Sequence, residues 1–376
     1  MKYYLIAGEA SGDLHASNLM KEIRKKDAQA NFRCWGGDLM KQQGGELVKH
    51  YQDLAFMGFI EVLLNLREIM RNLRYCKQDI ISYQPDAVIL IDYPGFNLRI
   101  AKFAKDSGFR VIYYISPQLW AWRSSRVKII KKNVDKMFVI LPFEKDFYAK
   151  YGYSVDFIGH PLLDVISDEM DLVGKESFFD QHHLDQRPVI ALLPGSRKQE
   201  IARMLGVMLR AIEGFPGFQF VIGAVPSINP DFYKECLKEV PVSIVYNQTY
   251  SLLKHADAAI VTSGTATLET TLMGVPQVVC YKGSRISYLV ARMIVHVRFI
   301  SLVNLVLDKK VVTELIQENF NKDSLTVELK EILFNHQYRQ SILNDYASLE
   351  EKLGGKGAST KAAGLIVQYL NRNEVK

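Results

Sequence analysis

Cysteine is scarce. Cys34, Cys76, Cys236 and Cys280 are the only four in 376 residues, far apart and never in C-x-x-C spacing. This excludes a disulfide framework and a thiolate zinc site, and reads as reduced thiols in a cytoplasmic protein. No stretch approaches the ~18 uncharged apolar residues that a membrane-spanning helix needs. The apolar run at 3–7 is too short for a secretory segment and is soon followed by Glu9 and Asp13. Walker A, H-E-x-x-H, zinc spacing and D-x-D are also missing, so a metal-bridged diphosphate is not indicated and no cofactor is expected. Nor is there much charge of one sign: 47 Lys and Arg against 41 Asp and Glu leave +6. Without a clustered patch that excess does not imply nucleic acid, but phosphorylated small molecules and anionic membrane surfaces stay open.

What is present is a globular composition, 48% hydrophobic and 23% charged, in a chain about twice the usual domain length. Short apolar runs at 3–7, 32–35, 87–91, 111–115, 137–141 and 155–158 alternate with helical patterns such as Ala16, Leu19, Met20 and Ile23. Strands with few internal polar residues, separated by helices, predict a parallel sheet covered on both faces. A polar stretch at 167–186 follows, and the pattern restarts at 189–193, 218–222, 242–245, 258–262 and 277–281. The expectation is an α/β chain of two doubly wound, Rossmann-like domains facing a cleft, 1–166 and 187–355. A terminal helix in 356–376 either packs back on a domain or is exchanged within a homodimer. His182 and His183 fall in the polar connector and read as solvated.

Ligands of such sheets bind beyond the carboxyl ends of the strands, so the residues that follow strands matter most. After the first strand comes G-E-A-S-G-D, with Gly8, Glu9, Ser11, Gly12 and Asp13. It is either a helix turn capped by Ser11 or Asp13, or a site for a hydroxyl or amine, since its acids would repel a pyrophosphate. Asp92, after the run 87–91, either caps its loop or is a poorly solvated carboxylate suited to act as a general base. Trp120 and Trp122, beside Arg123, either cover a core or stack on a sugar or lipid. The basic run of Arg123, Arg126, Lys128, Lys131 and Lys132 is a solvated face or a phosphate contact. In Pro194-Gly195-Ser196-Arg197, the Ser196–Gln199 spacing predicts a capping box with Arg197 in the helix's first turn. A cation there opposes the helix dipole unless it neutralises a bound diphosphate. Finally, Gly264, Thr265 and Glu269 follow the run 258–262 and suit phosphate oxygens and ribose hydroxyls, or simply a Thr-capped helix.

At 100° per residue, Phe59, Val62, Leu63, Leu66, Ile69, Met70 and Leu73 form one core stripe. A second row holds Ile60, Leu64, Arg67, Arg71 and Arg74, with Phe56 and Met57 just upstream. Apolar residues merging into arginines suit either an interfacial helix at a phospholipid surface or a protein interface.

In this order the motifs resemble the lipid-A-disaccharide synthase family of inverting GT-B glycosyltransferases. The likeness includes the G-E-A-S-G-D start, Ile91 to Asn97 (I-D-Y-P-G-F-N), S-P-Q with W-A-W-R, L-P-G-S-R at 193–197, S-G-T-A at 263–266 and S-L-V-N at 301–304. The resemblance implies condensation of UDP-2,3-diacylglucosamine with 2,3-diacylglucosamine 1-phosphate to a β-1,6-linked disaccharide 1-phosphate and UDP. It also implies a peripheral enzyme on the cytoplasmic face of the inner membrane. It assigns UDP to Arg197, Gly264, Thr265, Glu269, Asn304 and Gln317, and the acceptor to Glu9, Ser11, Gly12, Asp13 and Asp92. Many members carry a second aspartate where this chain has Gly95, so the base falls to Asp92, Asp13 or Glu9. His15 also stands where an apolar residue is usual. The competing expectations are a nucleotide-sugar 2-epimerase and a non-enzymatic lipid- or nucleotide-binding protein.

Overall fold

The computed structural model describes residues 1–54, 66–122, 124–168, 173–238, 240–284, 288, 292–293 and 297–372. It divides into two units, Met1–Asp164 with Leu353–Lys376, and Val165–Lys352. The first unit holds the strands β1 (Lys2–Ala7), β2 (Asn31–Gly36), β3 (Glu46–His50), β4 (Ala87–Ile91), β5 (Arg110–Tyr114), β6 (Lys136–Val139) and β7 (Asp156–Phe157). All neighbours pair parallel, in the order β3-β2-β1-β4-β5-β6-β7.

Alternation along β1 feeds two cores. Tyr4 and Ile6 pack with Leu73, Cys76, Ile80, Ile100, Val127 and Ile130 on one face. Tyr3, Leu5 and Ala7 pack with Leu19, Met20 and Ile23 on the other, where the terminal helix Ala358–Arg372 adds Ala362, Ile366 and Leu370. That helix lies against helix Ala10–Lys26 of the same chain. Its start is fixed by Asp164, whose carboxylate accepts from the Gly357 and Ser359 N–H groups at 2.6 and 2.9 Å.

The second unit's strands are β8 (Val189–Leu193), β9 (Gln219–Ala224), β10 (Ser243–Tyr246), β11 (Ala256–Thr262), β12 (Gln277–Tyr281) and β13 (Glu314–Ile316). They too are parallel, in the order β10-β9-β8-β11-β12-β13. In both sheets the strand order reverses direction at the first strand, between β1 and β4 and between β8 and β11, which is where doubly wound sheets open a crevice.

Three sequence expectations change. Helix Lys175–Gln181 lies within the stretch read as a polar connector, yet its Phe178 and Phe179 are buried in the second unit's core. His182 is half-buried rather than solvated, its ring 4.7 Å from that of Phe178 and its Nε2 3.1 Å from Gln248 Oε1. On helix Leu66–Tyr83, Leu73 is buried, but Leu66 and Met70 of the expected core stripe are 46% and 44% exposed. Among the described residues no helix is long and apolar enough to cross a membrane.

Phe178→Ala removes a fully buried ring and is expected to lower stability by ~3–5 kcal/mol. Urea denaturation checks this, and a loss below ~1 kcal/mol would return the segment to the role of a solvated connector.

Candidate active site

The first site follows from strand register. Ala7 of β1 pairs with Ile91 of β4, so Gly8-Glu9 and Asp92 leave the sheet side by side. Asp92 and Tyr93 are both left-handed, with φ of 41° and 46°, a conformation that non-glycine residues adopt at a cost. The Tyr93 ring lies over Gly8, where an added Cβ would fall 2.4 to 2.7 Å from ring carbons. Any other residue at Gly8 would displace the ring.

Asp92 is exposed by surface area, so water reaches it. Protein atoms nevertheless crowd around the carboxyl. That burial, reinforced by the Glu9 charge and opposed by a bond from the Tyr93 backbone, pushes its pKa up to about 7. Glu9 stands half-buried at the N-cap of helix Ala10–Lys26 and makes no side-chain cap bond. Ser11 is exposed on the first turn. Gly12 is buried: a Cβ there would sit 3.2 Å from Ala7 Cβ, so its place is explained by close packing of helix on strand.

The structure gives Asp13 a capping role. It is 3% exposed, and its carboxylate accepts from the N–H groups of Gly37, Leu39 and Met40 at 2.8, 3.1 and 3.1 Å. It caps the short helix Asp38–Gln42 from a distance in sequence, with three of its lone-pair sites committed. Glu144 is similarly structural: it accepts from the Ile140 and Leu141 N–H groups at 3.1 and 2.9 Å as the N3 residue of helix Pro142–Ala149. Trp120 packs edge-on against Phe143 at 4.9 Å, the core-covering alternative for that residue. Gly95, in contrast, has open space where a Cβ would stand. A second carboxylate would fit there, but this chain does not supply one.

In the second unit, Val261 pairs with Leu193, so the turns after β8 and β11 emerge together. Arg197 is the N-cap residue of helix Lys198–Met208 rather than a first-turn residue, and no Ser196 capping box forms. The extended, exposed Arg197 pairs with Glu200 at 3.1 Å. Gly195, at φ 114°, provides the turn that brings it there.

Gly264 and Thr265 are exposed between β11 and helix Ala266–Leu272. Glu269, half-buried, accepts a 2.8 Å bond from the Tyr250 hydroxyl. Thr262, 6% exposed, has an Oγ1 with no partner. Thr262 opens the strand-end motif that the sequence marks for phosphate oxygens, whereas Tyr250 is not indicated by the sequence.

The structure gives Asn304 a bracing role. Its Oδ1 accepts from the Val311 and Val312 N–H groups at 2.8 and 3.0 Å, and its Nδ2 donates to the Val312 carbonyl and to Glu314 Oε1, both at 2.9 Å. A fully buried amide with every site used is a loop brace. Gln317 sits at φ 54° just after β13; with its amide oxygen and nitrogen exchanged it would accept from the Gly283 N–H at 3.2 Å and donate to the Gly283 carbonyl at 3.3 Å. Of the expected lipid contacts, Arg67 and Arg71 are exposed on helix Leu66–Tyr83, Arg71 3.3 Å from Glu68. Phe56, Met57, Ile60 and Leu64 lie outside the described residues.

A 13C-detected titration of Asp92 is expected to show a midpoint near 7. Glu9→Gln should lower that midpoint, because it removes a like charge. An unchanged midpoint would separate the two carboxyls electrostatically.

Comparison with known proteins bears on the whole chain. The family described as lipid-A-disaccharide synthetase matches residues 3–368. Lipid-A-disaccharide synthase of Syntrophus aciditrophicus is 40% identical over 377 residues, covering 98% of each chain. That of Geobacter sulfurreducens is 38% identical over 375 residues, covering 98% of this chain and 97% of its own. Among solved structures, the UDP co-structure of MnaA from S. aureus superposes with a TM-score of 0.71 at 14% identity, covering 98% and 97% of the two chains. A putative UDP-N-acetylglucosamine 2-epimerase from Listeria monocytogenes gives 0.68 at 12%, covering 99% and 97%. Those two likenesses speak for the fold, which GT-B glycosyltransferases and such epimerases share; the sequence relatives speak for descent. The chain belongs to the lipid-A-disaccharide synthase family.

Proposed function

We propose that this glycosyltransferase condenses UDP-2,3-diacylglucosamine with 2,3-diacylglucosamine 1-phosphate, releasing UDP and the β-1,6-linked disaccharide 1-phosphate. Family membership supports the overall reaction. The observation that carries the mechanism is Asp92, whose pKa of about 7 suits a base at neutral pH.

Asp92 takes the proton of the acceptor 6-hydroxyl as that oxygen attacks the anomeric carbon from the face opposite UDP. The C1–O bond to the diphosphate breaks, and its electron pair leaves with UDP. Arg197, which exchanges its Glu200 partner for the diphosphate, balances the developing charge together with N–H groups and hydroxyls at 263–265. Helix Ala266–Leu272 has only seven residues, so its dipole contributes little. Glu269, held by Tyr250, accepts from the ribose hydroxyls. Glu9 keeps the Asp92 pKa high, and Ser11 offers a hydroxyl to the acceptor.

Purified protein given both acylated sugars should release UDP only when the acceptor is present. Acceptor-independent appearance of a C2 epimer would support the epimerase alternative instead. Asp92→Asn should lower kcat by ~10²–10⁴-fold. Arg197→Ala should chiefly raise the donor KM, and unchanged donor KM and kcat would remove it from the site.

The acylated substrates also call for contact with a lipid surface, which we assign to helix Leu66–Tyr83 on the cytoplasmic face of the inner membrane. Exposed Leu66 and Met70 alternate there with Arg67, Arg71 and Arg74, so apolar groups can enter the acyl boundary while guanidinium groups meet phosphates. Changing Leu66 and Met70 together to Ser should reduce sedimentation with anionic vesicles and leave Tm nearly unchanged, since neither is buried. Full sedimentation of that variant would move the contact elsewhere.

A further inference from the structure

Two consecutive left-handed residues without glycine, Asp92 and Tyr93, persist only where the surroundings determine them more strongly than their own preference does. The Asp92 carbonyl is the point at which this chain applies that force. Asn97 Nδ2 donates to it at 2.9 Å and to the Ile91 carbonyl at 3.1 Å. The Tyr113 hydroxyl donates to it at 2.6 Å. The Asn97 N–H also holds the Tyr93 carbonyl at 3.0 Å, closing the first turn of helix Pro94–Asp106. Asn97 comes from that helix, while Tyr113 comes from the neighbouring strand β5, where Leu90 pairs with Tyr113 and Ile91 with Tyr114. The clamp therefore closes from two separate elements, and both side chains are fully buried.

We infer that Tyr113 is a positioning residue for the reaction: by fixing the Asp92 carbonyl it keeps the backbone left-handed and so holds the carboxylate in its crowded place beside Glu9. This rests on the reading of Asp92 as the base. The phenol suits the task because burial, followed by the nearby Asp92 charge, raises its pKa well above the ordinary value, so it remains a donor throughout the working range. Without the hydroxyl, the Asp92–Tyr93 pair can relax towards an ordinary conformation. The Asp92 carboxyl, already open to water on one side, then moves away from Glu9 and from the protein atoms around it, and its pKa falls.

The test is Tyr113→Phe, which keeps the ring and removes only the donor. Its partner control is Tyr114→Phe. The Tyr114 ring is also fully buried, but it packs in the core on the opposite face of the sheet. Tyr113→Phe is expected to lower kcat about tenfold with the acceptor KM within twofold of wild type. It should also move the acid limb of the pH–rate profile downward from near 7, and the 13C titration of Asp92 should fall with it. Tyr114→Phe should leave all three unchanged.

A Tyr113→Phe enzyme with wild-type kcat and an unmoved Asp92 titration overturns the inference. A reduced kcat with an unmoved titration also overturns it, since that is what general loss of packing would give. Full activity in Asp92→Asn would sink the base itself. In that case the titration of Asp92 in Tyr113→Phe still decides whether Tyr113 positions the carboxyl.

Discussion

The level ending of β1 and β4 is the constraint from which the first site follows. These strands are neighbours in the sheet but far apart in the chain, because β2 and β3 are added on one side and β5 to β7 on the other. Right-handed crossovers then send the helix after β1 and the helix after β4 to opposite faces. The two turns separate as they leave the sheet, and Glu9 and Asp92 occupy the gap. The second unit repeats the arrangement at β8 and β11, so Arg197 and the 263–265 turn owe their proximity to the same topology rather than to any contact between their side chains. On the proposed reading, a donor set and an acceptor set need only this one rule, applied twice.

The buried acids and amides show how the polar residues divide. Asp13, Glu144 and Asn304 are at most 3% exposed, and each has its acceptors or donors bound to backbone or neighbouring polar groups. Such bonds offset part of the desolvation cost, and removing the group would leave backbone N–H groups without partners. Asp92 differs. Its backbone carbonyl is clamped, but its carboxyl retains access to solvent and carries an environment that disfavours its charge. Burial pushes the Glu144 carboxyl up to about 7 as well, but that group is enclosed and held by backbone N–H groups, whereas the Asp92 carboxyl combines a raised pKa with access from outside, which is what a base requires.

The strand-ending motifs were legible because continuous apolar runs such as those of β1, β4, β8 and β11 identify central parallel strands, and glycines after them mark the turns. The edges were not. β3 is half-buried and mixes charged with apolar residues, and β13 has three residues, so neither presents a run long enough to be distinguished from a loop. Helix Lys175–Gln181 was hidden by its acidic neighbours, since two adjacent phenylalanines make no helical period. The roles of Asp13 and Asn304 depend on partners at 37–40 and 311–314, and spacing within a motif carries no information about them. Tyr113 was read only as part of a strand, because a hydroxyl's target across a sheet is fixed by register.

The excess of +6 also acquires a place. One face of the first sheet is covered by helices Ala10–Lys26 and Ala358–Arg372; the other by Leu66–Tyr83, Pro94–Asp106 and Val127–Asn133. This second layer bears Arg67, Arg71, Arg74, Lys128, Lys131 and Lys132 on its outside. Some of its cations are committed, as Lys102 is to Asp106 and Lys105 to Asp135. The arginines of Leu66–Tyr83 are accompanied by exposed Leu66 and Met70, whereas on Val127–Asn133 the only large exposed apolar side chain is Ile129. A purely electrostatic surface would need only the charges. Apolar side chains left in water beside them lower the solubility of the free protein and contribute only once they are buried in something. On the proposed reading that something is the acyl boundary, where each buried methylene adds about 0.8 kcal/mol and each nearby arginine about 1 kcal/mol on an anionic leaflet. On that reading a few residues of each kind suffice for reversible attachment, and reversibility would let the enzyme leave a membrane-embedded product and bind new substrate.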